Sequence, residues 1–192
     1  LGTDVHGQTL GIVGLGGIGT RVARRARGFD MKIIYFSRTR KPDIEEELGV
    51  KWVPDLESLL READFVSLHM PLTHETERLI GRDQLRQMKP EAFLINTTRG
   101  RTVDQKALYE ALSVGTIAGA GLDVADPEPV PGTEPLCALP NVVITPHIAS
   151  GSSATFKKMG MMAAENIIGA LMGQVMPSCL NPEALENRTE NA

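Results

Sequence analysis

"TLGIVGLGGIGTRVARRARG", residues 9–28, decides how the chain is read. Its first six residues, "TLGIVG", are a short apolar run that reads as a buried strand. Residues 17–28 then read as a helix, with Ile18, Val22 and Ala26 recurring every four positions on one face. At the junction, Gly14-Leu15-Gly16-Gly17-Ile18-Gly19 matches G-x-G-x-x-G. In such a motif the first glycine permits the tight turn, the second lets backbone approach a pyrophosphate, and the third lets the helix pack close to the strand. The helix start offers N–H groups without partners and a partial positive charge, which suits phosphates.

Outward from this unit, apolar runs alternate with helical patterns. "KIIYFS" (32–37) reads as a second strand, a charged helix covers 43–48, residues 50–53 form a short strand, and "LESLLREA" is the next helix. "DFVSLHM" (64–70), "AFLINT" (92–97), "IAGAGLD" (117–123) and "NVVITP" (141–146) are further strands, with a helix over 104–113. Near-continuous apolar strands separated by helices indicate a doubly wound parallel sheet, the Rossmann-like α/β class. An amphipathic helix over 152–172 carries Met159, Met162, Ile167, Ile168 and Leu171, and its methionines read as core filler. The expected organisation is a dinucleotide-binding domain over 1–150, a C-terminal helix and segment over 151–182, and a polar tail over 183–192.

At the end of the second strand, dinucleotide-binding proteins normally offer an acidic residue to the adenosine ribose. Here the chain offers Ser37, Arg38, Thr39 and Arg40, followed by Lys41. Ser37 does not repel a 2′-phosphate, and Arg38 and Arg40 can pair with one. NADP(H) is therefore the preferred cofactor, with NAD(H) the alternative. The plainer reading is a solvated basic turn.

Composition narrows the function further. The 192 residues are 42% hydrophobic and 23% charged, with a net charge of −4 and a pI of about 5.6. That balance leaves no basic footprint for nucleic acid and no polybasic patch for a membrane. No apolar run approaches the ~20 residues of a membrane-spanning helix, and no signal peptide is visible at Leu1. Cys137 and Cys179 are too few for a disulfide framework and lack metal-ligand spacing, so free thiols in a reducing cytoplasm and no bound metal are expected. A chain that opens on Leu1, without an initiator methionine, reads as a piece of a longer protein.

Three more stretches follow expected strands: "NTTRG" (96–100), "GLDVADPEP" (121–129) and "TPHIAS" (145–150). They fall on the carboxyl edge of the sheet, where open α/β sheets bind ligands. Together they supply Arg99, Glu128 and His147. An arginine holds a carboxylate in a bidentate fork, a histidine donates a proton near neutral pH, and a carboxylate bonded to that histidine stabilises its protonated form. These are the parts needed to reduce the keto group of a 2-oxo acid. Singly, each has a plainer explanation: a helix cap or phosphate ligand, a loop acid, a satisfied strand-end residue. Downstream of a dinucleotide motif, all three together point to one site.

The motifs "HGQTLGIVGLGGIG", "YFSRTRK", "PLTHETERLI", "MKPEAFLINTTRG", "GTIAGAGLDVADPEP" and "LPNVVITPHIAS" carry a resemblance that runs from about Gly7 to Pro182. The chain resembles the nucleotide-binding domain of the D-isomer-specific 2-hydroxyacid dehydrogenases, and within them the glyoxylate and hydroxypyruvate reductases. The resemblance implies hydride transfer between NAD(P)H and a small 2-oxo acid to give the D-2-hydroxy acid. It assigns Arg99 to the substrate carboxylate and carbonyl, His147 to general acid–base work and Glu128 to its partner. Asp123 is assigned to the nicotinamide carboxamide, and Pro71, Thr73, Thr76, Thr97 and Thr98 to segments along the cofactor, which Arg99 and His147 also reach. "SRTR" is similar to the version in family members that accept NADPH. A cytoplasmic homodimer, formed through the nucleotide-binding domain, is also implied. Glu128 separates the chain from related formate-oxidising enzymes, which carry an amide in its place.

Two departures from the family pattern stand out. Gly17 replaces a basic residue often found there, which touches the pyrophosphate neighbourhood but not the turn. The family's substrate domain is built mostly from residues upstream of the nucleotide domain, and almost all of it is missing here. Residues 151–182 would return toward that absent domain, so the chain alone is expected to bind a dinucleotide but turn over weakly. A non-catalytic NAD(H)-sensing adaptor of the same fold is the alternative. A hydrolase is disfavoured by the lack of G-x-S-x-G.

Overall fold

The computed structural model describes residues 2–183. In chain order its strands are β1 (Thr9–Val13), β2 (Lys32–Phe36), β3 (Lys51–Trp52), β4 (Phe65–Leu68), β5 (Phe93–Asn96), β6 (Gly119–Leu122) and β7 (Val142–Ile144). The helices are α1 (Gly17–Ala26), α2 (Pro42–Leu48), α3 (Leu56–Glu62), α4 (Arg82–Gln87), α5 (Gln105–Ser113) and α6 (Ser153–Leu171). All strand pairs are parallel, in the order β3-β2-β1-β4-β5-β6-β7. The chain starts in the middle of the sheet, runs to one edge and returns to place β4 on the other side of β1. That reversal opens a crevice past Val13 and Leu68, the place where such sheets bind ligands.

Alternation along the strands sends side chains to two cores. Leu10, Ile12, Ile33 and Tyr35 pack with Ala23 and Ala26 of α1 and Leu48 of α2. Val13, Ile34, Val66 and Leu68 join α3, α4 and α5 through Leu59, Leu60, Leu85, Leu108 and Leu112 on the other side. Around β1 and β2 the sheet is thus covered on both faces, which is why those strands read as apolar runs, whereas at the far edge β7 leaves Val143 67% exposed.

Three expectations need correction. The core face of α1 carries Gly19, Ala23 and Ala26, while Ile18 is 66% exposed. At the first turn the helix points its bulky residue away from the sheet, because only small residues fit where the helix meets the strand. The six-residue α4 was not anticipated; it buries only Leu85, so it has almost no periodicity to read, and its start is marked instead by the Gln84 side chain accepting from the Gly81 N–H at 3.2 Å.

The methionines of α6 are the third. The chain divides into two compact units, Leu1–His147 and the remainder from Ile148 onward. In the second unit α6 is capped by Ser152, whose hydroxyl accepts from the Thr155 N–H at 3.1 Å. Of its residues only Gly169 is buried, where the chain turns back at Val175 and Met176. Met159, Met162, Ile167, Ile168 and Leu171 are exposed and fill no core. Among the described residues of this unit, no second apolar layer faces them. The polar tail expected over 183–192 lies outside the described residues beyond Glu183. Among the described residues no helix is long and apolar enough to cross a membrane.

Candidate active site

The cofactor end is built by the turn after β1. Gly14 has φ +98°, and a Cβ there would come within 2.8 Å of the Met70 backbone nitrogen. A Cβ on Gly19 would sit 2.3 Å from the Gly14 carbonyl, so the missing side chain is what lets α1 close on the turn. Gly16 and Gly17 have the opposite surroundings: a Cβ on either meets nothing within 4 Å. No side chain caps α1 and no acid lies in its first turn, whereas α3 and α5 are capped by Asp55 and Asp104. An open backbone cradle at a positive helix end fits a pyrophosphate.

Two cavities flank this cradle. One, of about 260 Å³, runs between Gly14, Ser37, Arg38 and Thr39 on one side and Pro71, Thr73 and Thr76 on the other. The second, of about 450 Å³, takes in Gly16, Gly17, Ile18, Thr97, Thr98 and Arg99. They share Gly16, His69, Met70 and Pro71. Most of the residues expected along a cofactor thus line one channel, and the exposed Ile18 finds its place there.

Arg40 does not line either cavity. Its Nε and Nη2 donate to the two oxygens of Glu45 at 2.9 and 2.8 Å, and its guanidinium lies 5.6 Å from the Trp52 ring centroid. The Tyr35 hydroxyl also donates to Glu45, at 2.8 Å, and accepts from the Lys41 N–H at 2.7 Å. The bond from Arg40 holds the Glu45 carboxyl below the usual range, so this clamp stays charged at neutral pH. Arg38 is exposed and makes no hydrogen bond or ion pair among the described residues. Of the two arginines, only Arg38 is unengaged.

The chemical end depends on Asn96, which the sequence reading missed. This strand-end amide is 1% exposed. Its Oδ1 accepts from the Thr98 N–H at 3.0 Å and the Thr98 hydroxyl at 2.8 Å, and its Nδ2 donates to the Arg99 carbonyl at 3.0 Å and to Thr102 Oγ1 at 3.2 Å. The loop carrying Arg99 is therefore fixed through its backbone, while the exposed guanidinium bonds, among the described residues, only to the Thr98 carbonyl, at 2.7 Å. Next to it, a Cβ on Gly100 would fall 1.9 Å from the Ala125 carbonyl oxygen. That contact presses the Arg99 loop against the loop that carries Glu128.

Glu128 and His147 meet directly. The Ala125 N–H donates to Glu128 Oε1 at 2.9 Å, and Glu128 Oε2 lies 2.8 Å from His147 Nδ1. The bond from His147, the Ala125 N–H and the nearby charge of Arg99 lower the Glu128 carboxyl against the opposing effect of burial. An ionised carboxylate only accepts, so Nδ1 carries the hydrogen and Nε2 is the atom left for exchange. His147 sits at φ +54°, immediately after the turn that ends β7. Such backbone is costly for a residue with a side chain and gathers at functional sites. Asp123, 5% exposed, follows β6 and accepts from the Thr145 hydroxyl, beside the same edge.

His69 is the competing histidine, and it is unsuited to giving up a proton. Its Nδ1 is buried without a hydrogen-bond partner, its Nε2 lies 2.9 Å from the Ser67 hydroxyl, and burial pushes its pKa down to about 4. It is a neutral wall of the channel at neutral pH. Among the described residues no group of three or more His, Cys, Asp or Glu could hold a metal ion.

Fold and cradle together define a nicotinamide-dinucleotide-binding α/β domain with an Arg, Glu and His set on its carboxyl edge. Residues 1–149 match the family described as "D-isomer specific 2-hydroxyacid dehydrogenase, NAD binding domain", and the chain belongs to that family. It is 56% identical over 188 residues to a "Glyoxylate reductase" of Korarchaeum cryptofilum, covering 98% of this chain and 56% of that protein. It superposes on the TT0316 protein of Thermus thermophilus with a TM-score of 0.88 at 51% identity, covering 94% of this chain and 56% of that one. Against a D-lactate dehydrogenase with NAD+ from Lactobacillus jensenii the TM-score is 0.85 at 31% identity, with 94% and 57% covered. The chain spans about half the length of the curated relatives it matches.

Proposed function

We propose that the whole protein reduces a small 2-oxo acid, glyoxylate or hydroxypyruvate, to the D-2-hydroxy acid, with NADPH preferred to NADH. The observation that carries this reading is the 2.8 Å His147–Glu128 pair, electrostatically coupled to Arg99 at the sheet edge. Relatives named glyoxylate reductase support the substrate class.

In this reading Gly16, Gly17 and the start of α1 hold the pyrophosphate, and Asp123 holds the carboxamide. The bound nicotinamide supplies a hydride to the keto carbon. Arg99 grips the substrate carboxylate and offsets negative charge as it develops on the oxygen. His147 gives that oxygen the proton from Nε2, while Glu128 holds the Nδ1 hydrogen and fixes the ring. Residues 151–182 return toward the substrate domain. A homodimer through the nucleotide domain and a cytoplasmic location belong to the same proposal; sedimentation of the full-length protein checks the first and fractionation the second.

Two outcomes test the roles. A depressed carboxyl adds stability above its unfolded value and loses it as pH falls through the folded value. The Glu128–His147 bond therefore holds at neutral pH and breaks on acidification below the usual carboxylate range. With Glu128→Gln, kcat is expected to fall at least about 10-fold, because an amide can turn its NH2 toward Nδ1 and no longer fixes the hydrogen on that atom. An unchanged kcat would make Glu128 an ordinary loop acid.

The cofactor reading rests on Arg38. A charged hydrogen bond contributes roughly 1.5–3 kcal/mol, which is about 10- to 100-fold in affinity. Arg38→Ala should weaken NADPH toward the low end of that range and leave NADH unchanged, with the loss shrinking as salt rises. Arg40→Ala should cost less, since Glu45 already occupies its fork. Fluorescence titration of both cofactors decides, and equal affinities of wild type for NADPH and NADH at low salt would reject the preference.

A further inference from the structure

The 260 Å³ cavity is lined by unlike charges. One wall, at the end of β2, carries Arg38 and Lys41; the other, after β4, carries Glu75. The Glu75 carboxylate is not loose: the Thr73 hydroxyl donates to its Oε2 at 2.6 Å, and Thr73 is itself tied to Thr76, whose Oγ1 accepts from the Thr73 N–H at 2.7 Å and donates to the Pro71 carbonyl at 2.6 Å. This network fixes one negative charge inside the pocket that faces Arg38. The bond from Thr73 and the more distant charge of Arg38 keep the Glu75 carboxyl lowered, hence ionised at neutral pH.

We infer that Glu75 limits how strongly the site separates the two cofactors: it repels a 2′-phosphate across the cavity. This deepens the NADPH preference proposed above and rests on it. A 2′-phosphate introduces about two negative charges and therefore feels Glu75, whereas the 2′-hydroxyl of NADH carries none. The segment from Pro71 to Thr76 thus does more than enclose the adenosine. It sets a ceiling on discrimination that the cationic wall alone would exceed.

Glu75→Gln tests this without removing the Thr73 bond, because the amide oxygen still accepts. Glu75 is exposed, so folding is not at stake. Binding of NADPH and NADH to the full-length protein, wild type and variant, is followed by fluorescence titration at low and high salt. The expected result is tighter NADPH binding, by roughly 3- to 10-fold at low salt and less at high salt, with NADH within about twofold of wild type. Wild type that prefers NADPH, combined with a variant whose NADPH affinity does not rise, overturns the role of Glu75 and leaves the preference standing. Equal gains for both cofactors also overturn it, since they would mean a reshaped loop and not a removed charge. Wild type that binds both equally at low salt fails the NADPH reading itself.

Discussion

Replacing His147 with alanine in the full-length protein is expected to lower kcat roughly 10²–10⁴-fold, the usual worth of a positioned proton donor, with the affinity for NADPH almost unchanged. The separation of effects follows from where the residue sits. The cradle at Gly14–Gly19 and the cavity beside Ser37 and Arg38 do not involve His147. Its ring is half exposed and is held by one bond to Glu128, so its loss leaves no buried partner stranded. Steady-state kinetics paired with cofactor titration checks both halves. A loss of cofactor binding in step with kcat would mean that the residue shapes the channel and does not transfer a proton.

Arg99→Ala is expected to be at least as damaging, with kcat/KM falling roughly 10³-fold. On the proposed reading it removes both the grip on the substrate carboxylate and the positive charge near the developing oxyanion. The loop itself should survive, because Asn96 and Thr102 hold it through the Arg99 carbonyl, which alanine retains. Arg99→Lys should recover only part of the loss, since it restores charge but not the planar fork. Kinetics with glyoxylate and hydroxypyruvate, beside thermal melts of each variant, distinguishes this from unfolding. A lysine variant as active as wild type would show that charge alone is needed.

The parts that were legible in sequence were those where local chemistry leaves little choice. G-x-G-x-x-G after an apolar run specified a turn that side chains could not enter, and Gly14 and Gly19 confirm the collisions they avoid. The seven strands were legible as short apolar runs between helical patterns, and at β1 and β2 that character follows from packing on both faces. Arg99, Glu128 and His147 could be named because each follows a strand; the closeness of the Arg99 and Glu128 loops depends on Gly100 and on Ala125, which no spacing rule reveals.

What stayed hidden was decided by partners distant in sequence or by the absence of partners. Arg38 and Arg40 look equivalent in "SRTR", yet Glu45 and Trp52 claim one of them. Asn96 looks like one more polar residue after a strand, although a strand-end Asn before Thr-Thr-Arg is the one local sign of a loop clamp. The apolar stripe on α6 has helical periodicity whether or not anything covers it, so periodicity alone placed Met159 and Met162 in a core they do not join.

Oxidation of NADPH by the full-length protein on addition of glyoxylate or hydroxypyruvate, followed by absorbance, tests the central claim most directly. The account predicts stoichiometric loss of NADPH with formation of the 2-hydroxy acid by wild type, and intact cofactor binding without turnover at comparable rate by His147→Ala. Tight NADPH binding by wild type with no oxidation by either acid would contradict it, and would leave a dinucleotide-sensing protein that keeps the fold and the Arg99, Glu128 and His147 arrangement without the reaction.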